Sequence, residues 1–178
     1  MIQMTRSLTR RTLTPTEDIV IQSYLAELIR ERSHQLNCPD GIDAIKLLWG
    51  LAGNESDFGA NAAPRHNDDY CAMKSGIYSR SIVGLTSLWG CWAHCGYGPC
   101  QIMFENTTGI TPMVLNGDPS VALQETILYL NGHIFRRLGA KSFEEIAFAY
   151  HTGSLSSNGI SDNPYVQAFM KNYLEPMA

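Results

Sequence analysis

Glu55 is the residue in this 178-residue chain whose type and placement most directly suggest chemistry. In the stretch GIDAIKLLWGLAGNES, Ile42, Ile45, Trp49 and Ala52 share a face at helical spacing, with Leu48 beside them. The next position on that face is Glu55. A carboxylate that ends an apolar stripe aims toward the core. Desolvation there penalises the charged form and raises the pKa. A carboxyl that keeps its proton near neutrality is what general acid catalysis requires. The plainer alternative is a glutamate that ends a helix and turns to solvent.

A second chemical grouping is Cys91-Trp92-Ala93-His94-Cys95, with Cys71 and Cys100 nearby. It could be a zinc site, but its x₃ and x₄ spacings differ from the paired C-x₂-C of common zinc ribbons and make zinc the lesser alternative. A disulfide among Cys71, Cys91 and Cys95 suits an oxidising compartment, and buried free thiols are the other option. A Cys100 nucleophile paired with His94 or His151 is a further arrangement of the same residue types. The fifth cysteine is Cys38, and an odd total argues against a complete disulfide framework.

These residues need elements to hold them, and the punctuation predicts mostly helices. Thr14-Pro15-Thr16-Glu17 reads as a capping box with proline at the first helical position. The helix it opens is expected to end near Leu36-Asn37. Asp40 is the candidate cap for the helix bearing Glu55. Residues 57 to 98 are broken by glycines and Pro64 and hold Trp89 and Trp92. They predict a long irregular insertion with short strands or turns. Gln101 to Thr107 reads as a short helix, and Thr111-Pro112 opens another that stops at Asn116-Gly117. Asp118-Pro119 starts a long helix with Leu123, Ile127, Leu130 and Ile134 on one face and Gly139 as its stop. Ser142 to Glu145 is a second capping box, and Asn163-Pro164 caps the last helix.

Composition narrows the function classes. The chain is 44% hydrophobic and 17% charged, as expected of one globular domain with a sizeable core. Residues 1–13 read as a basic flexible tail and 14–178 as the single domain. A net charge of −4 leaves no broad basic surface for nucleic acid. No apolar run approaches the roughly 18 residues of a membrane span. The basic residues of MIQMTRSLTRRTLTPTED are not followed by an apolar run, so a Sec-type signal peptide is not expected there.

Three segments then fall in an informative order: Glu55-Ser56 at a helix end, Gly98-Pro99-Cys100-Gln101-Ile102-Met103, and Ala149-Tyr150-His151-Thr152-Gly153. Together they resemble the lysozyme-like superfamily, close to the soluble lytic transglycosylases and goose-type lysozymes. Those proteins carry Glu-Ser at a helix end, then Gly-x-x-Gln-Ile, then Ala-Tyr-Asn-x-Gly. The likeness covers roughly residues 42 to 153. The departures are His151 in place of asparagine, Cys100 before Gln101, and a longer gap between Glu55 and Gln101.

The resemblance implies a mainly α, lysozyme-like domain of the transglycosylase type, with the Cys/Trp-containing insertion in that gap. It implies an enzyme cleaving the β-1,4 bond between N-acetylmuramic acid and N-acetylglucosamine in peptidoglycan. Glu55 would be the general acid, and a lytic transglycosylase is favoured. Asp68 or Asp69 would be the second carboxylate of a goose-type muramidase, or else part of a solvated turn beside Asn67. Gln101 would line the groove or position a loop, with Ile102 beside it. Tyr150 would reach Glu55 with its hydroxyl. His151 would contact an N-acetyl group or cap its helix. Ser56 would support backbone at the helix end. Trp92 and Tyr97 would stack on sugar rings or form the insertion's own core. Chitinase-type cleavage and a non-catalytic glycan-binding module are the alternatives. No cofactor or metal is called for, and a monomer is expected. The site of action would be the periplasm or cell wall, reached as a phage lysin or by another export route.

Overall fold

A computed structural model describes residues 14–66, 80–156 and 158–174. The described chain is mainly helical, with a small antiparallel sheet. Helix α1 spans Pro15–Arg32 and begins with the expected capping box, Thr14 and Glu17 each satisfying the other's backbone. It passes into a 3₁₀ turn at Ser33–Gln35. Helix α2, Ala44–Ser56, is capped by Asp43, whose side chain accepts from the Lys46 amide at 3.0 Å. Asp43 takes the place expected for Asp40, because its carboxylate lies three residues before an orphan amide of the first turn.

The apolar stripe of α2 proves too narrow a description. Residues Leu47 to Ala52 are all buried, so the helix is enclosed on every side over its middle turns. It packs on α1 and, most extensively, on the last helix, α7 (Pro164–Leu174). Leu47, Leu48 and Leu51 are fully buried, and each such side chain contributes about 1.5–3 kcal/mol. The long helix predicted from Asp118 is present as α5, Pro119–Tyr129, and runs on into a π-helical segment, Leu130–Leu138. Gly139 stops it in the left-handed conformation at φ +74°. Leu123, Ile127, Leu130 and Ile134 all face the core around α2. Helix α6, Phe143–Thr152, carries the second capping box and ends at Gly153.

The described part of the insertion carries regular elements. It contains strand β1 (Arg65–His66), helix α3 (Arg80–Trp89), a 3₁₀ turn (Gly90–His94) and strand β2 (Cys95–Tyr97). Gly84, Thr86 and β-branched Ile82 and Val83 give α3 a weak intrinsic propensity, which hides it from a local reading. The segment expected as a helix from Gln101 is instead strand β3 (Ile102–Met103) followed by a 3₁₀ turn. Gly98-Pro99-Cys100-Gln101 forms the loop of the β2–β3 hairpin, with strand order β1-β2-β3. Gly98 has φ +70°, and a Cβ there would lie 2.3 Å from the Ala122 Cβ, so only glycine fits. A second cluster of Ala93, Cys95, Tyr97, Phe104, Leu115 and Ala122 packs this sheet against α4 (Pro112–Gly117) and α5.

Candidate active site

Glu55 lies one residue from the end of α2 and is half-buried. The chain turns sharply after it. Asp57 and Phe58 are both left-handed, with φ of 54° and 52°. This turn closes through Phe58 N–H to the Ala52 carbonyl at 3.2 Å and Asn61 N–H to the Ser56 carbonyl at 2.8 Å. The Phe58 ring folds back to stack on Trp49, with centroids 4.6 Å apart. Close packing of that ring requires Gly53: a Cβ there would lie 2.7 Å from it. Ser56 is fully buried; its hydroxyl donates to the Ala52 carbonyl at 3.0 Å and accepts from the Gly59 amide at 2.8 Å. Ser56 therefore supports backbone, as expected at the helix end.

The partner of Glu55 is Tyr165. Its hydroxyl donates to Glu55 Oε1 at 2.6 Å, a short hydrogen bond. Tyr165 is placed by the start of α7. Its amide donates to the Asn163 side chain at 2.9 Å, and its carbonyl accepts from Asn54 Nδ2 at 3.1 Å. Asn54 thus ties the residue beside Glu55 to the residue that holds it. The Tyr150 hydroxyl, expected on Glu55, donates instead to the Cys100 carbonyl at 2.7 Å. With one proton to give, it serves the hairpin loop, although it still lies within the field of Glu55. No local signal marked Tyr165, since a tyrosine two residues after a helix cap is ordinary.

Burial pushes the Glu55 carboxyl above its ordinary value of 4.5. The Tyr165 hydrogen bond and the Arg65 charge pull the other way without cancelling it. The balance leaves the carboxyl above its ordinary value, the direction that the end of an apolar helix predicts.

Gln101 is buried and left-handed, with φ 48°. Its Nε2 donates to the Gly98 carbonyl at 2.9 Å and reaches the carbonyls of Ala63 and Ala62 at 3.3 and 3.4 Å. It fastens the chain after α2 to the β2–β3 hairpin, the loop-positioning role among those expected. Ile102 and Tyr97 are both buried, which corrects the placement of Ile102 at the groove and gives Tyr97 the second of its two expected places. The Tyr97 hydroxyl donates to the Trp92 carbonyl at 2.7 Å, so the ring belongs to the insertion's own core. Trp92 is 52% exposed. With Trp89, Pro112, Met113 and Asn116 it lines an apolar hollow of about 220 Å³. That hollow is built from α3, α4 and the turn between α3 and β2, not from the helices that hold Glu55. His151 is exposed on the last turn of α6 and stacks on the Tyr165 ring at 4.3 Å, nearly parallel. Asp68, Asp69 and Cys71 lie outside the described residues.

Among the described residues the cysteines do not assemble a centre. Among the described residues Cys38, Cys91, Cys95 and Cys100 are free thiols, and no group of three metal-ligating side chains forms. Cys100 is fully enclosed beneath Leu48, and burial pushes its thiol far up, reinforced by the Glu55 charge. A thiol that resists ionisation is no nucleophile. The His94 ring is also buried and shares a hydrogen bond with the Thr86 hydroxyl at 2.9 Å.

No helix of the described residues is long and apolar enough to cross a membrane. No family model, curated protein or solved structure matches the chain.

Proposed function

We propose that the chain is a lysozyme-like glycosidase that cleaves the β-1,4 bond between N-acetylmuramic acid and N-acetylglucosamine in peptidoglycan, at the periplasm or cell wall. The observation that carries this reading is the half-buried Glu55 carboxyl, biased toward its protonated form and fixed by Tyr165 at 2.6 Å. Breaking a glycosidic bond needs a proton on the leaving oxygen as positive charge develops on the sugar ring. Tyr165 occupies Oε1, which leaves Oε2 to carry the transferable proton. Once that proton has gone, the Tyr165 hydrogen bond and the Arg65 charge stabilise the carboxylate. The same carboxylate can then take a proton back from a hydroxyl. In a lytic transglycosylase that hydroxyl is the sugar's own and closes a 1,6-anhydro ring, so a single carboxyl serves as acid and then base.

Glu55→Gln keeps the side-chain shape and an acceptor for Tyr165 while removing the acid. Lysis of purified cell walls should fall about 10²- to 10⁴-fold with the fold intact. Undiminished lysis would refute the assignment. Mass spectrometry of the fragments reads the outcome of the second step: anhydro ends for a transglycosylase, reducing ends for a hydrolase using Asp68 or Asp69.

A further inference from the structure

Two rings and one carboxyl form a continuous line at the junction of α2, α6 and α7. His151 lies on Tyr165 with centroids 4.3 Å apart and planes 10° apart. Tyr165 directs its hydroxyl to Glu55 Oε1 at 2.6 Å. Tyr150, one residue before His151, donates to the Cys100 carbonyl and so anchors the end of α6 to the hairpin. Gly153, the left-handed cap of α6, is tied to the π-helical segment, where His133 Nε2 donates to its carbonyl at 3.3 Å. The end of α6 is therefore held from both sides, and the His151 ring is delivered to a set position over Tyr165.

Tyr165 is fastened at its backbone, by Asn163 and Asn54, but a tyrosine ring still turns about two side-chain bonds. A hydrogen bond as short as 2.6 Å tolerates little of that rotation. The face of the ring is the surface that a stacked neighbour restrains. We propose that His151 is a positioning residue for Glu55: its ring stacks on Tyr165 and holds the phenol hydroxyl on the Glu55 carboxyl. This rests on Glu55 being the acid, and it gives His151 a role that depends on its flat ring rather than on its hydrogen-bonding nitrogens.

Flatness and polarity can be separated by substitution. His151→Phe keeps a flat ring and loses the nitrogens. His151→Asn keeps a polar group and loses the stack. His151→Ala loses both. The titration of the Glu55 side-chain carboxyl, followed by carbon NMR, reads the coupling without any substrate. Tyr165→Phe sets the largest upward displacement that loss of the hydroxyl can give, because that bond favours the ionised carboxyl. His151→Asn and His151→Ala should move the Glu55 midpoint upward, within that limit. They should also move the alkaline limb of the pH–rate profile for cell-wall cleavage in the same direction. kcat should fall about 2- to 10-fold, the worth of one aromatic pair. His151→Phe should return the midpoint and the limb to their original positions.

The proposal is overturned if Glu55 titrates alike in all three variants. It is also overturned if His151→Asn preserves the midpoint while His151→Phe displaces it, since His151 would then act through its nitrogens. If Glu55→Gln still cleaves cell walls, the glycosidase reading falls, yet the NMR titration decides the coupling on its own.

Discussion

The bond between Tyr165 and Glu55 can be weighed by a double-mutant cycle of Tyr165→Phe, Glu55→Gln and the pair together. The hydroxyl donates at 2.6 Å, and its acceptor becomes charged once Glu55 ionises. Such bonds contribute about 1.5–3 kcal/mol, against about 0.5–1.5 kcal/mol between neutral groups. Glutamine at position 55 still offers a neutral acceptor, so the cycle reports the difference between the two kinds. A coupling of roughly 1–2 kcal/mol is expected on the alkaline side of the Glu55 midpoint. Below the ordinary carboxyl value of 4.5 both acceptors are neutral, and the coupling should fall toward zero.

The dependence on pH has a definite sign. Glu55 binds its proton more tightly in the folded protein than in the unfolded chain. Its contribution to stability is therefore full below pH 4.5 and is lost as pH rises through the raised folded value. Glu55→Gln lacks that loss. Tyr165→Phe extends it to higher pH, because the remaining charge has lost a donor. Urea unfolding, followed by tryptophan fluorescence with Trp49 packed directly beneath this turn, measures each arm. A coupling within about 0.5 kcal/mol of zero on both sides, or a stability difference between the native chain and Glu55→Gln that is flat in pH, would refute the reasoning.

Two further outcomes test the frame around the site. Gly98→Ala forces a left-handed alanine, costing about 1–2 kcal/mol, and drives its methyl to 2.3 Å from the Ala122 Cβ, adding about 1–3 kcal/mol. Chemical denaturation should show a loss of about 2–5 kcal/mol, and an unchanged midpoint would contradict the close approach. Iodoacetamide labelling of the native protein, mapped by peptide mass, should modify Cys91 ahead of Cys38, Cys95 and Cys100. Cys91 is exposed, the Cys38 thiol is pushed up to about 11, and the other two are buried. Rapid labelling of Cys100 would show that the enclosed thiol is open to solvent.

Local rules made much of the scaffold legible. Capping chemistry works over three or four residues, so Thr14 with Glu17, Ser142 with Glu145, and Asn163 before Pro164 read correctly from the chain. The same rule misplaced the cap of α2 by three residues, because Asp40 and Asp43 are chemically equal and only the turn at Gly41 chooses between them. The hairpin at Gly98–Gln101 was read as a helix start. Its strands are two or three residues long and are stabilised by partners far along the chain, which no local periodicity records.

At the site, the sequence by itself determined the carboxyl. An apolar helix ending in Glu55 sets both its position and the burial that raises its pKa, since a helix fixes which residues share a face. It also singled out Gln101, as a groove residue or a loop-positioning one, and the structure shows its side chain tying the loop. Only the tertiary structure decided what touches Glu55. Tyr150 and Tyr165 are the same residue type at the ends of neighbouring helices, and the crossing of α6 and α7 on α2 sends one hydroxyl to the Cys100 carbonyl and the other to Glu55. The same crossing lays His151 on Tyr165, while packing of the sheet against α4 and α5 sinks Tyr97 into the second cluster. Contacts between residues about a hundred positions apart are set by how helices pack, and packing depends on the whole set of side chains at once.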